Sequence, residues 1–383
     1  MAAIVTDQFR ILNANNFVET VDNSANSYYV VVGLANPALA VGFGRTTDWN
    51  TNTPNPVDNF NYTNHTGDTQ IFGKKVTSAN VRRLITRRNW TQGTRYEMYR
   101  HDYSVSSPSP ITQSSRLYDA RYYVMNENFN VYICIDNGSS GINTTGNASQ
   151  DVPTFTDLEP KAAGSSGDGY IWKYLYTVKP SELVKFDSAE YMPVPSDWST
   201  GTDNSAVRDN AVDGGIKVVV IQNRGVGLGT ANRTYTRVPI KGDGSDAECT
   251  VTVNADQQIG SVDVTNQGSG YTFGTVDIVA GGLPRPDSYP QLDVIIPPSG
   301  GHGKDIYKEL GASNALIYSR IENDPENPDF ITGNEISRIG IIENPQSFGS
   351  TALLSLDKAS AAYALRLVGT GYSNATFTAD SII

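Results

Sequence analysis

Three histidines, His65, His101 and His302, and two cysteines, Cys134 and Cys249, are the side chains of this 383-residue chain best suited to metal ligation or nucleophilic attack. The histidines stand in separate segments, and none belongs to an HExxH or His-x-His pattern that would bring two imidazoles to one ion. Structural or solvent-exposed imidazoles are the expectation. Cys134 and His101 would make a nucleophile and base only if the fold brought them together. Cys134 lies in the apolar run Val131 to Ile135, the setting of a buried inert thiol. Gly225-x-Gly-x-Gly229 follows an apolar run as a phosphate loop would, yet it lacks GxGxxG spacing and an amphipathic helix behind it, so a hairpin turn is expected. Asp243-Gly-Ser-Asp246 and the acidic stretch Glu322 to Asp329 lack the terminal glutamate of a calcium loop and are expected to be solvated. Spacing singles out no pair among the 40 acids for glycoside hydrolysis. No catalytic residue, metal site or cofactor is expected.

The strongest electrostatic feature is a basic island. Residues 74 to 100 hold Lys74, Lys75, Arg82, Arg83, Arg87, Arg88, Arg95 and Arg100 against one acid, Glu97, in a chain of formal net charge −11. Arginine pairs bidentately with carboxylates and stacks on rings, and Trp90, Tyr96 and Tyr99 are interleaved here. The island is an intrachain network, a docking surface for an acidic partner, or a nucleic-acid patch. Arg87, Arg88, Trp90, Arg95 and Tyr96 are its candidate structural or interface residues, and Arg87, Arg88 and Arg95 are expected to meet carboxylates around the Trp90 loop. The overall negative charge disfavours phosphate backbones, so no nucleic-acid partner is expected.

The elements that would position these residues are mostly strands. Charged residues are only 18% while Gly (35), Pro (19) and many Ser, Thr and Asn fill the chain, which suits short strands and loops; 21 Tyr supply core material. Thr6 is expected to cap a short helix with apolar Phe9, Leu12, Phe17 and Val18. Strands are expected at Tyr28 to Leu34 and Ala38 to Phe43, a polar loop at 46 to 70, and a short helix from Ser78 through Val81, Leu84 and Ile85. Arg121 to Met125 and Asn130 to Ile135 read as a hairpin, and Tyr170 to Val178 as an aromatic strand ending near a helical turn at Ser181 to Phe186. The uncharged run 23 to 44 is broken by Asn, Pro and Gly, and no membrane span is expected. The start MAAIVTDQFR does not read as a secretory signal, and isolated cysteines suit a reducing compartment.

From Asp213-Gly214-Gly215 the texture changes. Strand-like runs are separated by Gly225 to Gly229 and by Asn266-Gln-Gly-Ser-Gly-Tyr271, and a partial third copy runs from Leu365 through Gly369-Thr-Gly-Tyr372 to the run Ala375 to Thr378. Pro297-Pro-Ser-Gly-Gly301 closes the segment, and Lys304 to Leu310 reads as a helix with Gly311 behind it. The fold class expected is α+β, predominantly β: a β-rich core with a few short helices plus an inserted small all-β domain. The expected domains are 1–212 and 301–350 as the core, 213–300 as the insert with its Gly-x-Gly-Tyr hairpins, and 351–383 as a C-terminal β extension.

Five short motifs occur in the order seen in one family. They are Ala3-Ile4-Val5-Thr6-x-x-Phe9-Arg10; Phe43-Gly44-Arg45 with Trp49; Thr86-Arg87-Arg88-Asn89-Trp90 followed by Thr94-Arg95-Tyr96; Asp168-Gly169-Tyr170-Ile171-Trp172-x-Tyr174-Leu175; and Glu190-Tyr191-x-x-Val194-Pro195. In this order and spacing the chain resembles the baseplate wedge subunit, gene product eight, of T-even contractile-tailed bacteriophages, over residues 1 to about 200 and more loosely 301 to 345. The resemblance implies a structural protein of the virion tail baseplate, assembled in the host cytoplasm, that forms a homodimer and contacts other wedge subunits of the gene six, seven and ten type. It carries no catalytic residues over, and it adds Trp172 to the candidate structural residues. Segments 205–300 and beyond about 350 depart from the family pattern. Two other classes stand beside it: a virion adhesin binding host-surface glycans through Tyr-rich loops, and a virion-associated polysaccharide hydrolase.

Overall fold

The computed structural model describes residues 5–35, 70–320, 336–347 and 349–354. Strand outweighs helix, 33% to 13%, so the fold is α+β and β-rich. Contacts divide the chain into two compact units, Met1–Phe17 with Arg82–Leu316, and Val18–Val81 with Ile317–Ile383.

Helix α1 (Asp7–Asp22) starts where the Thr6 hydroxyl accepts the Phe9 N–H at 3.3 Å, with Asp7 at the positive end of the dipole. Its buried stripe is Ile11, Ala14, Val18 and Val21, whereas Phe9 and Leu12, expected inside, are each 51% exposed. Two apolar stripes compete on this helix, and the longer one at 3-4-3 spacing is buried. In the second unit β1 (Tyr28–Ala35) pairs antiparallel with β2 (Gln70–Val76) on one side. Next, Ser78–Asn80 is a single 3-10 turn, and Val81–Thr86 is strand β3 instead of the expected helix. Short apolar runs are ambiguous between the two periods. Here β-branched Val81, Ile85 and Thr86 and an available partner strand decide for β.

In the first unit β4 (Tyr123–Met125) and β5 (Asn130–Asn137) form the expected hairpin, with Tyr123 opposite Ile133. The Asn126 side chain makes the turn by accepting the Asn128 and Asn130 N–H groups at 2.9 and 3.0 Å. Strands β6 (Lys161–Ala162) and β7 (Tyr170–Thr177) complete the sheet β4-β5-β7-β6. Helix α2 (Pro180–Phe186), with Pro at its first position, leads to β8 (Tyr191–Pro193), which pairs with β3. Helix α3 (Ser205–Asp209) precedes β9 (Val219–Asn223).

Strands β10 (Thr234–Gly242), β11 (Ser245–Val253), β12 (Ile259–Ser269) and β13 (Gly274–Val276) form a second four-stranded sheet in the order β12-β11-β10-β13. Strand β14 (Gln291–Val294) pairs with β9 as a two-stranded ribbon. Helix α4 (Ile306–Glu309) is capped by Asp305, which accepts the Lys308 N–H at 3.2 Å; β15 (Asn314–Ile317) joins β3, and β16 (Ile336–Glu343) joins β1 in the second unit.

The first unit holds two apolar clusters. One is aromatic, built on Tyr122, Tyr132, Tyr170, Trp172 and Tyr176, all fully buried. Buried phenols need acceptors, and backbone carbonyls supply them: Tyr132 to Phe155 O at 2.7 Å, Tyr123 to Thr86 O at 2.9 Å, Tyr176 to Pro193 O at 3.2 Å. The second cluster lies within residues 216–296. Alternation from Val218 into β9 sends Val219 and Ile221 into it and Val218 and Val220 into the aromatic cluster, so both faces of this stretch are buried. The expected strands at Ala38 to Phe43 and the C-terminal Gly-Tyr copy lie outside the described residues.

Candidate functional site

The basic island folds inward. Arg87 donates to Asp187 through Nη1, to Asn89 Oδ1 at 3.1 Å and to Ser188 O at 3.2 Å, and its own N–H bonds Glu190 O at 2.7 Å. Arg88, expected to meet a carboxylate, instead donates to Ala120 O and, at 3.0 Å, to Tyr118 O, with its guanidinium 4.6 Å from the Tyr123 ring centre. Arg95 likewise takes a carbonyl, Gly146 O, at 3.3 Å. A planar fork satisfies two converging carbonyls as well as it satisfies a carboxylate, and the loops closing this sheet present carbonyls. Neighbouring members are also held within the chain, but by side chains: Arg82 pairs with Glu182 at 2.7 Å, Arg83 donates to Asn15 Oδ1 at 2.5 Å and lies over the Tyr307 ring, and Arg100 binds Asp102 through two nitrogens at 2.8 and 2.6 Å.

The aromatic members lock the same region. Half-buried Trp90 donates Nε1–H to Ser149 Oγ at 3.0 Å. The Tyr96 hydroxyl accepts the Thr91 N–H at 2.6 Å, and its N–H bonds the Tyr170 hydroxyl at 2.8 Å. Trp172 stacks on Tyr170 at 5.3 Å and takes the edge of Tyr96 at 5.8 Å. The six nominated residues therefore belong to one braced region, with Arg87 tied to the β8 turn and Trp172 at its centre.

Sequence reasoning missed Glu97. It is 1% exposed and accepts from the Ser109 and Thr112 hydroxyls and the Arg121 N–H, pinning the 104–121 loop. The available signal was a single acid among eight bases followed by a Ser-rich stretch. It also missed the buried pair His302 Nδ1 and Glu309 Oε1, 2.7 Å apart, where Glu309 Oε2 also accepts the Gly303 N–H at 2.7 Å.

Of the groups nominated for chemistry, the two cysteines are enclosed, whereas His101 is exposed. Cys134 is wholly buried, burial pushes its thiol far up, and Cys249 is pushed up to about 12 by the same cause. His101 Nδ1 accepts the Ile296 N–H at 3.2 Å, and partial burial lowers its pKa. Neither cysteine is set up as a thiolate nucleophile. Among the described residues no group of three or more His, Cys, Asp or Glu side chains is placed to hold a metal ion, and no helix is long and apolar enough to cross a membrane. His65 and the acidic stretch Glu322 to Asp329 lie outside the described residues.

No protein-family model matches the chain, and no curated protein matches it.

Proposed function

We propose that the chain is a structural subunit of a contractile phage tail baseplate, a wedge component that dimerises and bridges other wedge subunits. One observation carries this reading. The motifs by which the chain resembles the wedge family, at Thr86 to Trp90, Thr94 to Tyr96, Asp168 to Leu175 and Glu190 to Pro195, meet in one hydrogen-bonded brace, in which arginines and aromatic rings hold backbone to backbone. Residues spent in this way favour a rigid assembly part over a catalyst. The expected partners are a second copy and subunits of the gene six, seven and ten type, the copies meeting over an interface on the order of 2,000 Å² or more. Light scattering on the purified chain, alone and mixed with those subunits, tests it. A dimer of the 41.4 kDa chain that enlarges on mixing is expected. A monomer at micromolar concentration that binds none of them overturns the reading.

A second reading, a glycan-binding adhesin, draws on one groove. A depression of about 330 Å³ beside β13 and β14 gathers Lys241, Thr275, Asp277 and the 59% exposed Tyr289, a ring with polar groups around it. Glycan-array binding by the isolated chain, lost in Tyr289→Ala, favours this reading.

A further inference from the structure

A cavity of about 460 Å³ lies where β12 of the second sheet faces β5 and β7 of the first. That volume is within the range of small-molecule sites, roughly 300 to 1,000 Å³. We propose that it binds an aliphatic polyamine, a ligand carrying two or more ammonium groups on an alkyl chain. This goes beyond the assembly role and does not depend on it.

The argument is one of unmatched acceptors. Lys217 is the only basic residue lining the cavity, and its Nζ is already held at 2.6 Å by Glu159, whose other oxygen takes Asn210 Nδ2 at 2.9 Å. Asp136 and Asp263 also line the cavity, and among the described residues no cation forms an ion pair with either. Asp136 Oδ1 accepts the Gly138 N–H at 2.9 Å, with the Asn137 N–H also acting on this carboxyl, and Asp263 Oδ2 accepts the Ser261 hydroxyl at 3.0 Å. Gln267 Oε1, on the same wall, is shut off from solvent and has no donor. A buried acceptor without a partner is costly, which applies to Gln267 Oε1; the Asp136 carboxylate and the exposed Asp263 carboxylate beside it are acceptors too, so the complementary ligand is a multiple donor and a cation. Between the acceptors the wall is aliphatic: Ile171, Ile216, Val262 and Val264. Alkyl carbons flanked by ammonium groups match that alternation, whereas a bare metal ion would leave the aliphatic wall uncovered and lacks its usual set of close ligands.

Protonation sets the pH range. Burial pushes Asp136 up to about 6, and the Asp263 charge adds to it; the N–H groups of Asn137 and Gly138 act the other way. Cys134, below it on β5, is un-ionised, and the Glu159–Lys217 pair on the far wall is internally neutral. The cation needs the carboxylate, so affinity is full above about pH 6 and falls as pH drops through it.

Isothermal titration of the full chain with spermidine at pH 8 and pH 5 tests this, with magnesium chloride as a charge control. One saturable site at pH 8 is expected, at least tenfold weaker at pH 5 and in Asp136→Asn, and not displaced by equimolar magnesium. If Asp136→Asn does not fold, Asp263→Asn, at an exposed position, serves in its place and is expected to weaken binding several-fold. The proposal is overturned by the absence of saturable binding at pH 8. It is equally overturned by many weak sites that magnesium displaces and that the folded variants leave unchanged, since that is diffuse attraction to a chain of net charge −11.

Discussion

The Arg88 guanidinium joins three groups that sequence separates by some thirty residues: two carbonyls of the 118–120 turn and the Tyr123 ring. Arg88→Ala leaves both carbonyls without that donor, and an unmet buried polar group costs about 1 to 3 kcal/mol. A loss of about 2 to 4 kcal/mol is expected from denaturant midpoints at unchanged m-value. Arg88→Lys should recover only part of it, because a single ammonium cannot reproduce the fork. Lys74→Ala is the contrast: Lys74 donates from an exposed position to Arg320 O at 2.7 Å, and a loss under about 1 kcal/mol is expected. Equal effects from the two alanine variants would remove the brace from the argument. Asp136 makes a pH prediction at the same scale. Its pKa in the folded chain, about 6, lies above the 3.8 of an ordinary aspartate, so the folded state holds the proton more tightly. The stabilising contribution is therefore complete below about pH 4 and is lost as pH rises through 6. In polyamine-free buffer, Asp136→Asn should flatten the stability profile between pH 4 and 7, removing a term of about 2 to 3 kcal/mol.

At the scale of elements, the β10–β11 turn and the loop after β12 hold each other. Tyr271 is 3% exposed; its hydroxyl donates to Ile240 O at 3.0 Å and accepts the Ala247 N–H at 3.2 Å. The ring lies where a Cβ on Gly244 would come within 2.4 Å of it, and Gly268 and Gly270 hold positive φ. Gly244→Ala must displace the ring, and a loss of about 1 to 3 kcal/mol by thermal or chemical melting is expected. Asp243, in the same turn, accepts the Thr272 hydroxyl and the Thr272 and Phe273 N–H groups, which pull its pKa down to about 2. The Gly-x-Gly-Tyr pattern does not close the hairpin expected of it, since the strands it joins, β12 and β13, are not neighbours in the sheet and Tyr271 covers the β10–β11 turn instead; only the turn itself was legible, because glycine marks it locally. The β4–β5 hairpin was legible for the same reason, through Asn126 and the alternation on each side. Strand β3 was not, since Val81, Leu84 and Ile85 fit either period and the deciding partner, β8, lies more than a hundred residues away. Among the candidate residues, the arginines and rings were found by type and spacing. Their acceptors were not, because a backbone carbonyl has no sequence signature, and the cavity between β5 and β12 has none either.

At the scale of the molecule, the ribbon of β9 and β14 determines how separable residues 213–300 are. Val218, Val220 and Ile295 belong to the aromatic cluster, while Val219, Ile221, Val294 and Ile296 belong to the other. Arg100 also reaches Asp293 at 3.6 Å, and the Ile296 N–H bonds His101. Replacing all of 213–300 with a Gly-Ser linker removes three apolar side chains worth about 1.5 to 3 kcal/mol each from the aromatic cluster. That approaches the whole stability of an ordinary domain. A broad, weakly cooperative melt is expected. Replacing only 224–290 keeps both ribbon strands and should preserve a cooperative transition at a lower midpoint. A sharp melt from the larger deletion would show the ribbon to be dispensable. A strand with each face in a different core also bears on kinetics. Its amides are reached by solvent only when both clusters have opened, so in native-state hydrogen exchange Val219 to Ile221 should be among the slowest in the chain and should exchange at the free energy of global unfolding. Amides of β12, whose outer face is wet, should exchange through smaller openings, and the gap between the two sets measures how far the second sheet can fray while the ribbon stays shut.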